Sequence, residues 1–264
     1  MMNLSTDSYG REEILMRTTY FRNSRAVSVS QTQILGHHRH NTDSSCEDVL
    51  FVKATDRLLI CGIADGKSDA QYGAIGGQVS LETVAQYLEN SNPDSIKNHP
   101  FPDEIPFMIT ISLRKRLLDL AHSMNANFKD FASTLQILVI DMLCNTYSLI
   151  HLGDGCVIGA ETNGHTSLMS APDNGLTAYQ TWLTTSPNAI SHLRITTGSL
   201  EQKKRLLLMS DGAVCFCKGR NIPHHARALI NTGSAEKLLQ YLASSNPTDD
   251  ASCIVIDLGD AENP

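Results

Sequence analysis

The sequence predicts an α+β fold of antiparallel strands with helices packed against them, and three observations carry that expectation. Apolar runs of strand length end abruptly in Asp-Gly at Leu58–Gly66 (LLICGIADG) and again at Leu206–Gly212 (LLLMSDG). Strand-like runs between residues 134 and 170 are separated by short turns, among them Asn163-Gly164, a strong two-residue hairpin signal. The segments between residues 66 and 124 carry the helical period instead. A fully apolar run reads as a buried strand, so an acid at its end emerges where the sheet meets an open cleft. One Asp-Gly is an ordinary turn, because both residues suit turn geometry. Two of them, with more acids at other strand ends, point toward metal.

With 264 residues, 41% hydrophobic and 19% charged, the chain can bury a full core as one large domain. Residues 1–25 are polar without clear period and are expected to form a loosely held arm, with 26–264 as the single domain. The formal net charge is −7 and no basic run exceeds Lys203-Lys204-Arg205. A nucleic-acid backbone would be repelled on average, so nucleic acid is not an expected partner. No apolar stretch approaches the length of a bilayer, and MMNLSTDSYGREEILMR lacks the layout of a signal peptide. The expectation is a soluble cytoplasmic protein with no membrane partner. The seven cysteines are scattered, with Cys61, Cys144 and Cys253 in apolar runs, which suits reduced core thiols. Cys215 and Cys217 form only a C-x-C, too little for zinc.

Residues 26–48 alternate weakly and end in GHHRHNTDSSCED, crowded with His, Asp and Ser. VLFVKA (49–54) and RLLICGIA (57–64) form a predicted antiparallel hairpin. It brings Asp48 and Asp65 to one end of a sheet, where strands about 4.8 Å apart let end residues reach a common ion. Leu81, Val84, Ala85 and Leu88 follow the spacing of a core-facing helix, which the Pro-rich segment 92–106 ends. A second helix carries Ile109, Leu113, Leu117, Leu120, Ala121 and Met124 on one stripe, with Arg114, Lys115, Arg116 and Asp119 as a solvated face. The two are expected to pack as an antiparallel pair. TLQILVIDML (134–143), TYSLIHLG (146–153), CVIGAE (156–161) and HTSLMS (165–170) read as an antiparallel meander. Residues 171–199 are irregular and hold the only tryptophan, Trp182, and a loop of that length is more often functional than idle. Strand RLLLMS leads to Asp211, helical residues follow near 226–230 and 235–242, and CIVIDL (253–258) begins just after Asp249 and Asp250.

Acids therefore stand beside strand ends at 48, 65, 211 and 249, with Asp130 and Asp154 flanking two more. Ligand sets of oxygen alone suit hard cations such as Mg²⁺ or Mn²⁺ and disfavour zinc. Carboxylates converging in one cleft repel each other, and divalent ions remove that cost. Two ions about 3.5 to 4 Å apart suit phosphate-ester hydrolysis, since a bridging water becomes hydroxide near neutral pH and both ions polarise phosphoryl oxygens. The competing reading of each acid is a turn residue or helix cap.

The series Cys46-Glu47-Asp48, Ala64-Asp65-Gly66, Asp130-Phe131-Ala132-Ser133-Thr134, Gly153-Asp154, Pro172-Asp173-Asn174-Gly175, Ser210-Asp211-Gly212 and Asp249-Asp250-Ala251-Ser252 resembles the metal-dependent serine/threonine phosphatases of the protein phosphatase 2C family, in its bacterial branch. Each motif alone is weak, but their order over residues 30–258 is specific. The resemblance implies an αββα sandwich of two antiparallel sheets flanked by helical pairs. It implies Asp65 as the ligand bridging two Mn²⁺ or Mg²⁺ ions, a ligand from the Gly66 carbonyl, and Asp211 and Asp249 on the other ion. Glu47 and Asp48 match the acidic pair that holds metal-bound waters, and Asp130 matches the acid of a third, weaker site. Asp154 is read as capping a tight turn and Asp250, where many relatives have Asn, as supporting the ligands.

Departures from the pattern qualify the match. The family's phosphate-binding arginine, four residues before the Glu-Asp pair, is Asp43 here. The bacterial histidine seven before the Cys aligns with Arg39, flanked by His37, His38 and His40, and Arg39 can serve as a bidentate phosphate clamp or lie on a basic surface loop. The position of the eukaryotic proton donor after Asp-Gly is Lys67. The leaving alkoxide would then take its proton from metal-bound water, Lys67 or a histidine. His151, inside an apolar strand, reads as a core histidine. Two readings stand: a phosphatase acting on phosphoproteins that a serine/threonine kinase has modified, with Asp65, Asp211 and Arg39 catalytic, or a member of the fold that binds a signalling partner without catalysis. Retention of Asp65, Asp211 and Asp249 together favours the enzyme.

Overall fold

The apolar runs assemble into two antiparallel sheets. The computed structural model describes residues 13–22, 25–36, 45–90, 104–174, 181–214, 230, 240, 242, 244 and 247–259. The chain divides into two compact units, one of residues 1–48, 155–171 and 200–264, the other of 49–154 and 172–199.

The first unit holds a six-stranded sheet. Strands β1 (Glu13–Arg22) and β2 (Arg25–Ile34) pair antiparallel from Glu13 against Ile34 to Arg22 against Arg25. Residues 13–22 of the expected arm thus lie in a strand of the sheet, and residues 1–12 lie outside the described residues. The order continues through β11 (Ala251–Leu258), β10 (Lys203–Met209), β7 (Cys156–Glu161) and β8 (Thr166–Ser170). Its core collects Ile34, Cys156, Ile158, Leu207, Met209, Ala213 and Cys253. The helical residues expected at 226–230 and 235–242 fall mostly outside the described residues, as does the C-x-C at 215–217.

The second unit holds a five-stranded sheet ordered β3 (Asp48–Ala54), β4 (Leu58–Asp65), β5 (Leu135–Asp141), β6 (Thr146–Leu152) and β9 (Arg194–Ser199). Helices α1 (Gly73–Asn90) and α2 (Glu104–Met124) pack on each other, and α1 packs on β4 and β5. Leu81, Val84, Ala85 and Leu88 of α1 and Ile109 and Leu113 of α2 meet Leu58, Ile60, Leu135, Ile137, Ile150 and Leu152 in one core. Alternate residues of a strand face opposite sides. Gln136 and His151 pair across the ladder, so both point away from those helices. Gly76 carries α1 onto the 3-10 turn Phe128–Phe131: a Cβ there would stand 2.0 Å from the Phe131 carbonyl oxygen.

Three expectations are corrected. The run between 134 and 170 is no single meander: β5 and β6 pair in one sheet, β7 and β8 in the other. Chain reversal is local, whereas sheet membership depends on distant partners, and Gly153, at φ +119°, redirects the backbone between β6 and β7. The segment 171–199 contains a four-residue helix, α3 (Ala189–His192), and edge strand β9, which Thr196, Thr197 and Gly198 left without an apolar period. Cys144 is exposed, because Asp141 closes a turn by accepting the N–H groups of Leu143 and Cys144 at 2.9 and 3.1 Å. Cys61 and Cys253 are buried, and burial pushes the Cys61 thiol up.

Candidate metal centre

Antiparallel order gathers the acids of the first unit at one sheet edge. The end of β2, the start of β11 and the end of β10 lie side by side, so Gly36, Asp249, Asp250 and Asp211 all fall just beyond them. Asp250 accepts the Gly36 N–H through one carboxylate oxygen and the Glu47 N–H through the other, both at 2.8 Å. It thereby fixes the backbone on either side of residues 37–44. Asp249 accepts the Asp250 N–H at 2.9 Å, and Asp211 accepts the Gly212 N–H at 2.6 Å. Ser210 joins the two strand ends: its N–H donates to the Ser252 carbonyl at 3.0 Å and its hydroxyl accepts the Ser252 N–H at 2.9 Å. The glycine of this Asp-Gly answers to close approach, since a Cβ on Gly212 would meet the Asp250 carbonyl oxygen at 1.9 Å.

Asp48 stands among these groups and is 5% exposed. Neither of its carboxylate oxygens has a hydrogen-bond partner among the described residues. Burial above all raises its pKa well over the ordinary carboxylate range. Asp211 and Asp250 push it further, while the Ser252 and Ser210 hydroxyls lie near enough to oppose the shift without reaching hydrogen-bond geometry. The backbone here is well held, with Gln33 donating through Nε2 to the Asp48 carbonyl at 2.7 Å. Burial raises the Cys46 thiol as well, helped by Asp48 and Asp250.

In the second unit, the end of β4, the start of β5 and the end of β6 share an edge. Asp65 donates its N–H to the Thr134 hydroxyl at 2.8 Å and accepts the Thr134 N–H at its carbonyl, also at 2.8 Å. Gly66 forms an antiparallel bridge with Ser133. Asp154 follows the Gly153 turn, and it and Asp65 each offer a carboxylate oxygen within 4.8 Å of the other. The Thr181 hydroxyl donates to Asp154. Asp154 thus has a neighbour suited to sharing an ion. Asp130 closes a capping box on the 3-10 turn, its carboxylate accepting the Asn127 N–H at 3.0 Å while the Asn127 side chain accepts the Lys129 N–H at 3.1 Å.

A further set lies beyond Asp154: Asp173 stands in one of the motifs, but its neighbours Trp182, His192 and Arg194 stand outside them, so the sequence did not join them. Asp173 donates its N–H to the Gly153 carbonyl at 2.9 Å, and its carboxylate meets His192 Nδ1 at 3.3 Å. Trp182 stacks on the His192 ring, with centroids 3.6 Å apart and planes 13° from parallel. Arg194 meets Nδ1 of buried His151 at 3.0 Å. Burial, reinforced by Arg194, lowers the His151 pKa to about 3, so this histidine is a neutral core residue. Lys67 forms an exposed ion pair with Asp69. Arg39, Asp43 and the histidines at 37, 38 and 40 lie outside the described residues.

The residues fit a hard cation. A buried carboxylate whose two oxygens have no hydrogen-bond partner among the described residues, beside two acidic neighbours, is costly unless a positive charge accompanies it, and the surrounding donors are oxygens. The profile described as Protein phosphatase 2C matches residues 35–245. The structure of RsbX in complex with magnesium is similar at a TM-score of 0.58 and 17% identity, covering 92% of this chain and 100% of that one. Serine/threonine phosphatase Stp1 from Staphylococcus aureus gives 0.65 at 14% identity, covering 87% and 94%. The catalytic domain of the serine/threonine protein phosphatase PstP, in complex with two manganese ions, gives 0.58 at 17% identity, covering 89% and 99%. At these identities the likeness is one of fold: two antiparallel sheets with flanking helices. No curated protein sequence matches the chain.

Proposed function

We propose that this chain, which belongs to the protein phosphatase 2C family, hydrolyses phosphoserine and phosphothreonine in proteins with bound Mn²⁺ or Mg²⁺. The observation that supports this most is Asp48, a buried carboxylate without a hydrogen-bond partner among the described residues and beside two more acids. Such a cluster is what a cation site requires and what a packed core avoids.

In this reading Asp65, the Gly66 carbonyl, Asp211 and Asp249 hold the ions, with Glu47 and Asp48 beside them, and Asp130 completes a third, weaker site. When bound, the ions supply Lewis acidity toward the phosphoryl oxygens and an activated water. Asp65 and Asp211 act through them, and Arg39 binds the substrate phosphate. Asp250 holds the Gly36 and Glu47 backbone, which steadies the approach to Asp48. Thr134 fixes the Asp65 main chain on both sides. Residues 26–264 serve as the phosphatase domain, preceded by 1–25, and the substrates are cytoplasmic phosphoproteins made by a serine/threonine kinase. Among the described residues no helix is long and apolar enough to cross a membrane.

The test is hydrolysis of p-nitrophenyl phosphate and of a phosphothreonine peptide with Mn²⁺ and with EDTA, at matched protein concentration. Both substrates should turn over with Mn²⁺ alone. Turnover indifferent to EDTA would overturn the metal requirement, and absence of turnover in Mn²⁺ would favour a binding module that keeps the fold.

A further inference from the structure

We infer that His192, oriented by Asp173, is the general acid that protonates the leaving serine or threonine oxygen, an assignment that rests on the phosphatase reading above. Expelling an alkoxide is difficult without a proton, and this chain has Lys67 where the family's eukaryotic members place a histidine. The Lys67 ammonium is engaged with Asp69 in an exposed ion pair, its side chain 45% and that of Asp69 73% accessible. His192 has the arrangement that this task needs. Its Nδ1 faces the Asp173 carboxylate at 3.3 Å, which fixes the ring and leaves Nε2 as the nitrogen that can serve a substrate.

Three contacts hold this pair. Trp182 covers one face of the imidazole at 3.6 Å and restricts its rotation. The Asp173 N–H is tied to the Gly153 carbonyl at 2.9 Å, one residue before Asp154. Thr181, the residue before Trp182, donates its hydroxyl to Asp154 itself. The dyad is therefore anchored from two sides to the turn whose carboxylate lies within 4.8 Å of that of Asp65. Arg194 also faces Asp173, so that carboxylate stands between His192 and a guanidinium. His192 and Asp173 are each 29% exposed, half-buried yet open to a substrate.

In the step itself, a water oxygen bonds to phosphorus and the bond from phosphorus to the side-chain oxygen breaks. The electron pair goes to that leaving oxygen, which takes the proton from Nε2. The attacking water gives a proton to solvent, and the imidazole regains one from solvent.

Leaving-group dependence tests the assignment. p-Nitrophenolate departs without a proton at neutral pH, whereas the threonine alkoxide does not. His192→Gln should lower kcat/KM for a phosphothreonine peptide roughly hundredfold, with a loss on p-nitrophenyl phosphate at least about tenfold smaller. Asp173→Asn should show the same discrimination to a smaller degree, which keeps the test open if His192→Gln folds poorly. Equal losses on both substrates, or none on either, in both variants would overturn the inference while the phosphatase reading stood. A parent protein that hydrolyses neither substrate in Mn²⁺ would overturn that reading itself.

Discussion

A buried carboxylate that accepts no hydrogen bond is a standing cost, and Asp48, which accepts none among the described residues, carries it beside Asp211 and Asp250. Asp48→Asn removes the charge and keeps the shape, so in EDTA the variant should be more stable than the parent by about 1–3 kcal/mol. In Mn²⁺ it should gain less than the parent does. Thermal melts under both conditions check this, and a variant less stable than the parent in EDTA would show that Asp48 is satisfied without metal. The acid at 48 is visible in the sequence; its burial is not, because Ser210, Asp211, Asp250 and Ser252 enclose it from more than 150 residues away. His151 offers a second residue-level test. Its folded pKa of about 3 lies below the ordinary value of 6.5, so unfolding lets it take up a proton. Its contribution to stability is full above about pH 6.5 and is lost as pH falls from there toward 3. His151→Gln should flatten the fall in stability between about pH 6.5 and 4, by on the order of a few kcal/mol, since each tenfold in proton affinity is about 1.4 kcal/mol. Urea denaturation across that range reads the slope, and parallel curves for parent and variant would exclude the effect.

Elements with strong local period were legible and those defined by distant partners were not. The β3–β4 hairpin, the buried stripes of α1 and α2 and the runs that became β5 to β8 follow from apolar spacing within each segment. The assignment of β6 and β7 to different sheets does not, since a period of two is the same in either sheet. β9 escaped because an edge strand of mixed polarity reads like a loop. The 3-10 turn before β5 is held by its own side chains and by the helix above it: it caps itself through Asp130 and receives α1 at Gly76. Gly76→Ala would place a methyl group 2.0 Å from a backbone oxygen, a contact that no side-chain rotation relieves. It should cost about 1–3 kcal/mol or more despite the better helix propensity of alanine. Gly164→Ala, strained by φ +83° but with nothing within 4 Å, is the comparison in which backbone conformation alone acts. Denaturation midpoints of the two variants separate the causes, and a Gly76→Ala protein as stable as the parent would show that α1 can slide without loss.

Over the whole molecule, the sequence order of the acids conceals how they are grouped. One unit takes Asp48, Asp211, Asp249 and Asp250 from two of its three chain segments, and the other takes Asp65, Asp130 and Asp154 from a single segment. Within each, antiparallel order turns distant strand ends into neighbours, which motif spacing along the chain cannot express. The family match over residues 35–245 spans both groups, and metal binding should therefore appear as a property of the folded chain. A ligand that binds only the native state stabilises it by about 2.7 kcal/mol at a hundred times its dissociation constant. For a chain of this size each kcal/mol moves the melting temperature by about 2–4 °C. Saturating Mn²⁺ should raise the midpoint by roughly 5–10 °C over EDTA. In the proposed reading Asp65→Asn and Asp211→Asn each remove a carboxylate from an ion's surroundings, so each variant should lose most of that shift and of the proposed hydrolytic activity while melting cooperatively in EDTA. The paired readout distinguishes a lost ligand from a lost fold. A variant that keeps the full Mn²⁺ shift but loses turnover would place its aspartate in the chemistry and outside the metal site. If both keep the shift and the activity, the ions that support turnover are held by other groups.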